Sequence, residues 1–172
     1  MQRSVRLGLV VVLLLTLQTT WMADLRPFGT PGDLLLLLTV AAGMASGPVR
    51  GATVGFVAGL AMDLVLLTPF GLSSLAYLAV GYAVGTIHDG VLRSAPWIPV
   101  VVAFVVSALG IGFYVVLGQL VGQQFRLPDL PRVILVTSMI NAVLIHPATI
   151  VTRWIEKAAP DRMMAHSTRG LR

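Results

Sequence analysis

Residues 51–74, GATVGFVAGLAMDLVLLTPFGLSS, predict two helices that pack closely against each other. Gly51, Gly55 and Gly59 recur every four residues in an apolar segment, so they form one stripe along a helix. A glycine stripe has no side chains to hold helices apart, and it therefore lets two backbones approach to van der Waals distance in lipid. The stripe serves either packing within this chain or the binding of a partner span.

A second apolar segment repeats the pattern after a turn that contains Pro69 and Gly71. Tyr77, Gly81 and Gly85 follow at the same four-residue step, so the second segment carries a matching stripe. We therefore expect the two segments to form a helix pair, with the residues of both stripes in helix packing or partner binding.

Asp63 ends the first stripe and is an acid within an apolar segment. An acid at mid-span costs roughly 2.5 to 3.5 kcal/mol, so it is usually held by a partner group or by water. We expect Asp63 to hold the outer ends of the two helices together. The alternatives are a ligand contact, or an acid that reaches the outer headgroups or caps the next turn through Thr68 and Ser73.

The composition is that of a polytopic membrane protein. Of the 172 residues, 56% are hydrophobic and 11% are charged, and the mean hydropathy is +0.89. A soluble domain has a charged share of roughly 25%, so this chain has too little polar surface to cover a soluble globule. The sequence has no cysteine, which excludes disulfides, thiolate metal sites and a cysteine nucleophile.

Six apolar stretches predict an all-α bundle of six transmembrane helices. Their ranges are 7–22, 34–47, 51–67, 72–87, 98–121 and 133–152. The second stretch ends at Pro48, which lacks the amide that a continuing helix needs. We expect residues 1–155 to form a single transmembrane domain and residues 156–172 to form a basic cytoplasmic tail.

The basic residues predict that both termini are cytoplasmic, since short loops rich in Lys and Arg stay inside. With six spans, the cytoplasmic set is Arg3, Arg6, Arg50, Arg93, Arg153, Lys157, Arg162, Arg169 and Arg172. Only Arg26, Arg126 and Arg132 remain outside. This orientation accounts for the net charge of +5, so we expect membrane lipids rather than nucleic acid as partners of the basic residues.

Catalytic motifs are absent from the sequence. It contains no Gly-x-Ser-x-Gly, no HExxH and no GxxxxGK[ST] motif. Its histidines are scattered over a loop, a span and the tail, at His88, His146 and His166. We expect no enzyme activity, no catalytic residue, no metal and no cofactor.

One ordered set of motifs resembles a known family. The set is Pro31-Gly32-Asp33 before a leucine run, Gly55-Phe56 with Gly59-Leu60 and Asp63, then Pro69-Phe70-Gly71-Leu72-Ser73, then Tyr77 through Gly81-Tyr82. It resembles the MreD family of bacterial rod-shape proteins. The resemblance extends over residues 7–155, and its specific part lies in residues 31–82.

The resemblance implies a fold similar to the substrate-binding subunits of energy-coupling-factor vitamin transporters, which have six membrane helices. It also implies a non-enzymatic subunit of the cell-elongation complex in the bacterial cytoplasmic (inner) membrane, which helps to direct lateral peptidoglycan synthesis and cell shape. The expected direct partner is MreC. The glycan polymerase RodA, a class B transpeptidase and MreB belong to the same complex.

The alternative function is that of a membrane subunit of a transporter that binds a small molecule or a lipid. Asp63, Gln119 and Asn141 would then converge on a polar cavity open to the outside. An amide such as Asn141 in a span more often bonds to a facing helix, with a stabilisation of roughly 0.6 kcal/mol.

Overall fold

The computed structural model describes residues 2–24, 32–65, 69–87, 95, 97–123 and 127–157. Their regular structure is helical, which confirms the predicted all-α class. The helices are α1 (Gln2–Asp24), α2 (Leu34–Ser46), α3 (Pro48–Asp63), α4 (Leu72–Thr86), α5 (Ile98–Leu120) and α6 (Leu130–Glu156), with a 3₁₀ turn at Leu127–Asp129 before α6. Each predicted apolar stretch corresponds to one helix. The predicted tail lies outside the described residues from position 158 onward.

The helix α2 is short because it is enclosed by protein. It has 13 residues and contacts all five other helices. At 1.5 Å per residue it is about 20 Å long, against about 30 Å for the hydrocarbon core of a bilayer. Leu34 through Met44 are all buried, as expected for a helix that is apolar on every side.

The long helices lie around this centre. By length and composition, three helical segments could cross a membrane: Gln2–Thr20 within α1, α5 and α6. Their outward faces carry exposed apolar side chains such as Leu9, Leu109 and Val143. Buried positions include polar residues such as Ser107, Ser138 and Asn141, so the chain is apolar outside and partly polar inside. This arrangement fits a transmembrane protein.

The junction of α2 and α3 depends on a glycine and a proline. Gly47 has a φ of +82°, a conformation that glycine adopts without steric cost. Pro48 is the first residue of α3, where its missing N–H would be unpaired in any case. The third helix therefore begins three residues before the predicted start at Gly51.

The two ends of the helical chain lie together. Arg3, in the first turn of α1, forms an ion pair with Glu156 in the last turn of α6. The Arg6 guanidinium donates to the Trp154 carbonyl oxygen at 3.1 Å and lies 4.5 Å from the centroid of the Trp154 ring. This end of the bundle, which we call the terminal end, also holds the junction of α2 and α3.

Candidate functional site

The glycine stripe of α3 lies directly against the backbone of α4. A Cβ atom at Gly51 would lie 2.2 Å from the carbonyl oxygen of Gly81, and a Cβ atom at Gly55 would lie 2.3 Å from that of Tyr77. Both distances are far shorter than any real carbon–oxygen contact. The two helices are antiparallel and in a four-residue register, so only glycine fits at these positions of α3.

The register extends along the whole of the helix pair. At the terminal end, Gly85 lies against Gly47 and Pro48, with 2.3 Å between a Cβ at Gly85 and the Pro48 Cα. At the opposite end, a Cβ at Gly59 would lie 2.5 Å from the Ser73 carbonyl oxygen. Close contacts between α3 and α4 therefore run from one end of the helix pair to the other.

The helix α2 closes the other side of this contact. A Cβ atom at Gly51 would lie 2.7 Å from the Cα of Gly43 on α2, and the methyl group of Thr39 on α2 is 2.8 Å from the corresponding position at Gly55. The glycines of α3 are thus enclosed between α2 and α4. No part of this stripe faces outward, since Gly51, Gly55 and Gly59 are all buried.

Asp63 joins the end of α3 to the start of α4. Its carboxylate accepts hydrogen bonds from the backbone N–H groups of Gly71 at 3.0 Å, Ser73 at 3.0 Å and Ser74 at 3.1 Å. The Ser74 hydroxyl also donates to it, at 2.9 Å. Asp63 is only 4% exposed, and these N–H groups are the ones that the first turn of a helix leaves unpaired. The carboxylate therefore caps α4 from a different helix, with a charge that suits the helix dipole.

The turn before α4 brings these donors to the carboxylate. The helix α3 ends at Asp63 rather than at residue 67, so Asp63 is a terminal residue and not an acid inside a span. Gly71 has a φ of +99°, and the Leu72 N–H donates to the Pro69 carbonyl oxygen at 3.3 Å. Thr68, named as an alternative partner of Asp63, lies outside the described residues.

A cavity of about 320 Å³ lies at the end of the bundle opposite the terminal end, and it is partly open to the surface. It is surrounded by α1 to α6. The lining residues are Gln18, Gly32, Asp33, Leu36, Met62, Ser73, Tyr77, Gly110, Ile111, Tyr114, Val133 and Thr137. We call this space the outer cavity. Of the predicted site residues, Tyr77 lines it.

Hydrogen bonds tie the wall of the outer cavity together. The Asp33 carboxylate accepts from the Leu36 N–H at 2.9 Å, which caps α2, and from the Tyr77 hydroxyl of α4. The Gln18 side-chain oxygen, on α1, accepts from the Leu34 N–H at 3.0 Å. These contacts hold the carboxylate of Asp33 between α2 and α4, and they join the start of α2 to α1.

The structure does not bring Gln119 and Asn141 together, and neither lines the outer cavity. Asn141 is buried, and its side-chain NH₂ donates to the Ser107 hydroxyl at 3.0 Å, which joins α6 to α5. Gln119 is exposed in the last turn of α5, about 18 Å along that helix from Ser107. Within the described residues, the oxygen of the Asn141 amide and the Ser138 hydroxyl have no hydrogen-bond partner.

Apart from Tyr77, the residues that line the cavity were not among the predicted site residues, and three of them bear most on its chemistry. They are Gln18, Asp33 and Tyr114. Asp33 carried a signal, since an aspartate directly before an apolar run is typical of a helix N-cap. Gln18 and Tyr114 lie in long apolar segments, where the sequence does not reveal which face points inward.

One of the comparisons with known proteins identifies a family for this chain. No curated protein and no solved structure matches the chain significantly. The sequence model of one family, described as rod shape-determining protein MreD, matches residues 3–154. Because this match covers nearly all of the helical part, the chain belongs to the MreD family of rod shape-determining membrane proteins.

Proposed function

We propose that this chain is a non-enzymatic subunit of the cell-elongation complex that binds MreC directly and helps to direct lateral peptidoglycan synthesis. The observation that carries the proposal is the family match over residues 3–154. Through MreC the chain would share a complex with RodA, a class B transpeptidase and MreB. The helix packing supports this function, since the residues with the most specific pattern build a rigid helix pair and not a reaction centre.

The surface that meets MreC is an outward one. The glycine stripe of α3 is enclosed by α2 and α4, so a partner span has no access to it. A partner span can contact the exposed apolar side chains of the long helices instead. We therefore assign the glycines of both stripes to packing within the chain.

We propose that the chain crosses the bacterial inner membrane six times and that both of its termini lie in the cytoplasm. The contact between Arg3 and Glu156 supports it, because an even number of crossings returns the chain to the side on which it began. The outer cavity would then open toward the extracytoplasmic side. Residues 1–155 would form one transmembrane domain and residues 156–172 a basic tail near lipid headgroups.

The partner proposal is tested by copurification of MreC with a tagged copy of the chain from crosslinked membranes. Depletion of the chain should turn rod-shaped cells round, and the tagged copy should restore the rod. Gly55→Leu should lower the amount of the chain in the membrane and should leave the ratio of MreC to chain unchanged. A lower ratio of MreC to chain, with the amount of chain unchanged, would contradict the internal role of the stripe. Absence of MreC from the purified chain would contradict the proposed partner.

The topology is tested with single cysteines, because the sequence has none of its own. Gln2→Cys and Lys157→Cys should resist a membrane-impermeant maleimide added to intact cells, whereas Pro69→Cys should react. Labelling of only one of the two terminal positions would contradict an even number of crossings.

A second function is favoured by the outer cavity. Its volume of about 320 Å³ lies within the range of roughly 300 to 1,000 Å³ that is usual for small-molecule sites, and polar groups from several helices line it. We propose that the chain also binds a small molecule or a lipid there. This function is compatible with MreC binding, because the cavity lies inside the bundle.

A further inference from the structure

The outer cavity has a single formal charge in its wall. Among its lining residues in the described part of the chain, Asp33 is the only acid, and none is Lys, Arg or His. Asp33 is also not part of an ion pair with any basic residue that the structure describes. A carboxylate within a membrane protein is costly unless a cation or hydrogen-bond donors compensate it.

The hydrogen bonds of Asp33 compensate only part of this charge. One carboxylate oxygen accepts from the Leu36 N–H and the other accepts from the Tyr77 hydroxyl. The Leu35 N–H and the Gln18 side chain also lie close enough to interact with the carboxylate, but all of these groups are neutral. The carboxylate is thus fixed in place by neutral donors, and no basic residue that the structure describes pairs with its charge.

The rest of the wall suits an organic cation. Tyr77 and Tyr114 both line the cavity, and the faces of aromatic rings attract ammonium groups. Leu36, Ile111 and Val133 supply apolar surface for the carbon atoms next to a charged nitrogen. An anionic ligand would find no basic group among these lining residues.

We infer that the outer cavity binds a primary ammonium group, with Asp33 as its counter-ion and the rings of Tyr77 and Tyr114 beside it. A primary ammonium can donate a charge-assisted hydrogen bond to the carboxylate, which a quaternary ammonium cannot do. The ligand is either the headgroup of an ethanolamine lipid or a small soluble amine. The inference rests on the proposed small-molecule or lipid function and is independent of MreC binding.

The test uses the full chain in nanodiscs that contain equal parts of phosphatidylethanolamine, phosphatidylcholine and phosphatidylglycerol, with retained lipids identified by native mass spectrometry. A lipid source predicts that phosphatidylethanolamine is retained about tenfold more often than phosphatidylcholine, since a charge-assisted hydrogen bond contributes roughly 1.4 kcal/mol or more. A soluble source predicts instead that ethanolamine or glycerophosphoethanolamine raises the thermal midpoint of the detergent-solubilised chain. Either result supports the ammonium site. No preference among the lipids together with no response to either amine would overturn it.

Asp33→Asn is the decisive variant. Asparagine caps a helix about as well as aspartate, so α2 should still begin at Leu34 while the charge is lost. We expect this variant to retain phosphatidylethanolamine no more often than the other lipids, or to bind a soluble amine about tenfold more weakly. Asp129→Asn, an exposed acid at the start of α6 without a side-chain cap bond, is the matched control and should bind as the native chain does. Unchanged amine binding in Asp33→Asn would overturn the inference.

A second pair of variants keeps the test valid if Asp33→Asn does not fold. Tyr114→Leu removes an aromatic face and should weaken amine binding, whereas Tyr114→Phe keeps the ring and should retain it. A different outcome is that the chain retains phosphatidylglycerol and not phosphatidylethanolamine, with this retention lost in Tyr114→Leu but kept in Asp33→Asn. That result would overturn the ammonium assignment and leave a lipid-binding function. MreC copurification, measured with the same variants, tests the elongation-complex function independently of amine binding.

Discussion

Ser74, in the first turn of α4, donates its backbone N–H and its hydroxyl to the same carboxylate of Asp63, at 3.1 and 2.9 Å. Asp63 is the last residue of α3, so one side chain joins the end of a helix to the start of the next. The glycine contacts begin at this point and continue to the terminal end. The two helices are thereby held at one end by hydrogen bonds and along their length by backbone contact.

Asp63→Ala should destabilise the fold by about 2 to 4 kcal/mol, because a buried donor that loses its acceptor costs roughly 1 to 3 kcal/mol and several donors are affected. The measurement is reversible unfolding in mixed detergent micelles, followed by circular dichroism. Asp129→Ala is the control, since Asp129 is exposed and does not cap α6 with its side chain. Equal effects of the two substitutions would contradict the cap.

Gly55→Ala should destabilise the chain, because its Cβ would lie 2.3 Å from the Tyr77 carbonyl oxygen and would force α3 away from α4. Overpacking costs about 1 to 3 kcal/mol, which outweighs the gain of up to about 1 kcal/mol in helix propensity. Gly112→Ala, in α5, is the control with no atom within 4 Å of the new Cβ, so it should be neutral or stabilising. Thermal midpoints in detergent compare the two. A stabilising effect at Gly55 would show that α3 and α4 leave room for a methyl group there, against the distance of 2.3 Å.

Asn141 and Ser107 should be coupled by about 0.6 kcal/mol in a double-mutant cycle of alanine substitutions, as is typical of polar contacts between membrane helices. The free energies of unfolding of both single variants and the double variant give the coupling. Asn141 paired with Thr53, which is exposed and bonds to its own helix, should be additive. Additivity in the first pair would argue against the hydrogen bond between α5 and α6.

Arg3→Cys and Glu156→Cys in one chain should be joined by a short bis-maleimide crosslinker, because the native side chains form an ion pair and the sequence has no other cysteine. The shift of the crosslinked band on a gel measures the crosslink. Arg3→Cys with Asp129→Cys is the control, since Asp129 lies at the other end of α6, about 40 Å away. A crosslink in the control alone would reverse the assignment of the two ends.

The local pattern of the sequence predicted much of the fold. The apolar stretches located all six helices, and Pro48 marked the end of α2 because proline cannot continue a helix. The ends of the helices were predicted less accurately than their positions in the sequence. The sixth helix extends from Leu130 to Glu156, beyond both predicted limits, because its first and last turns contain charged residues that a search for apolar stretches leaves out.

The site was predicted less completely than the fold. The glycine steps and Asp63 stood out because spacing along one helix reveals a stripe, and the α3 glycines lie against the backbone of α4. Most of the residues that line the outer cavity were not predicted as site residues. Asn141 and Gln119 are polar residues in apolar segments, yet Asn141 bonds to Ser107 and Gln119 is exposed.

The sequence by itself determined the class, the family resemblance and the two stripes, because these depend on composition and on spacing within single helices. Only the tertiary structure decided that the α3 glycines are enclosed between α2 and α4 and that Asp33 and Tyr77 share one hydrogen bond. The reason is physical: residues 44 positions apart meet only after helices choose their neighbours and rotations, which depend on the packing of all six helices together.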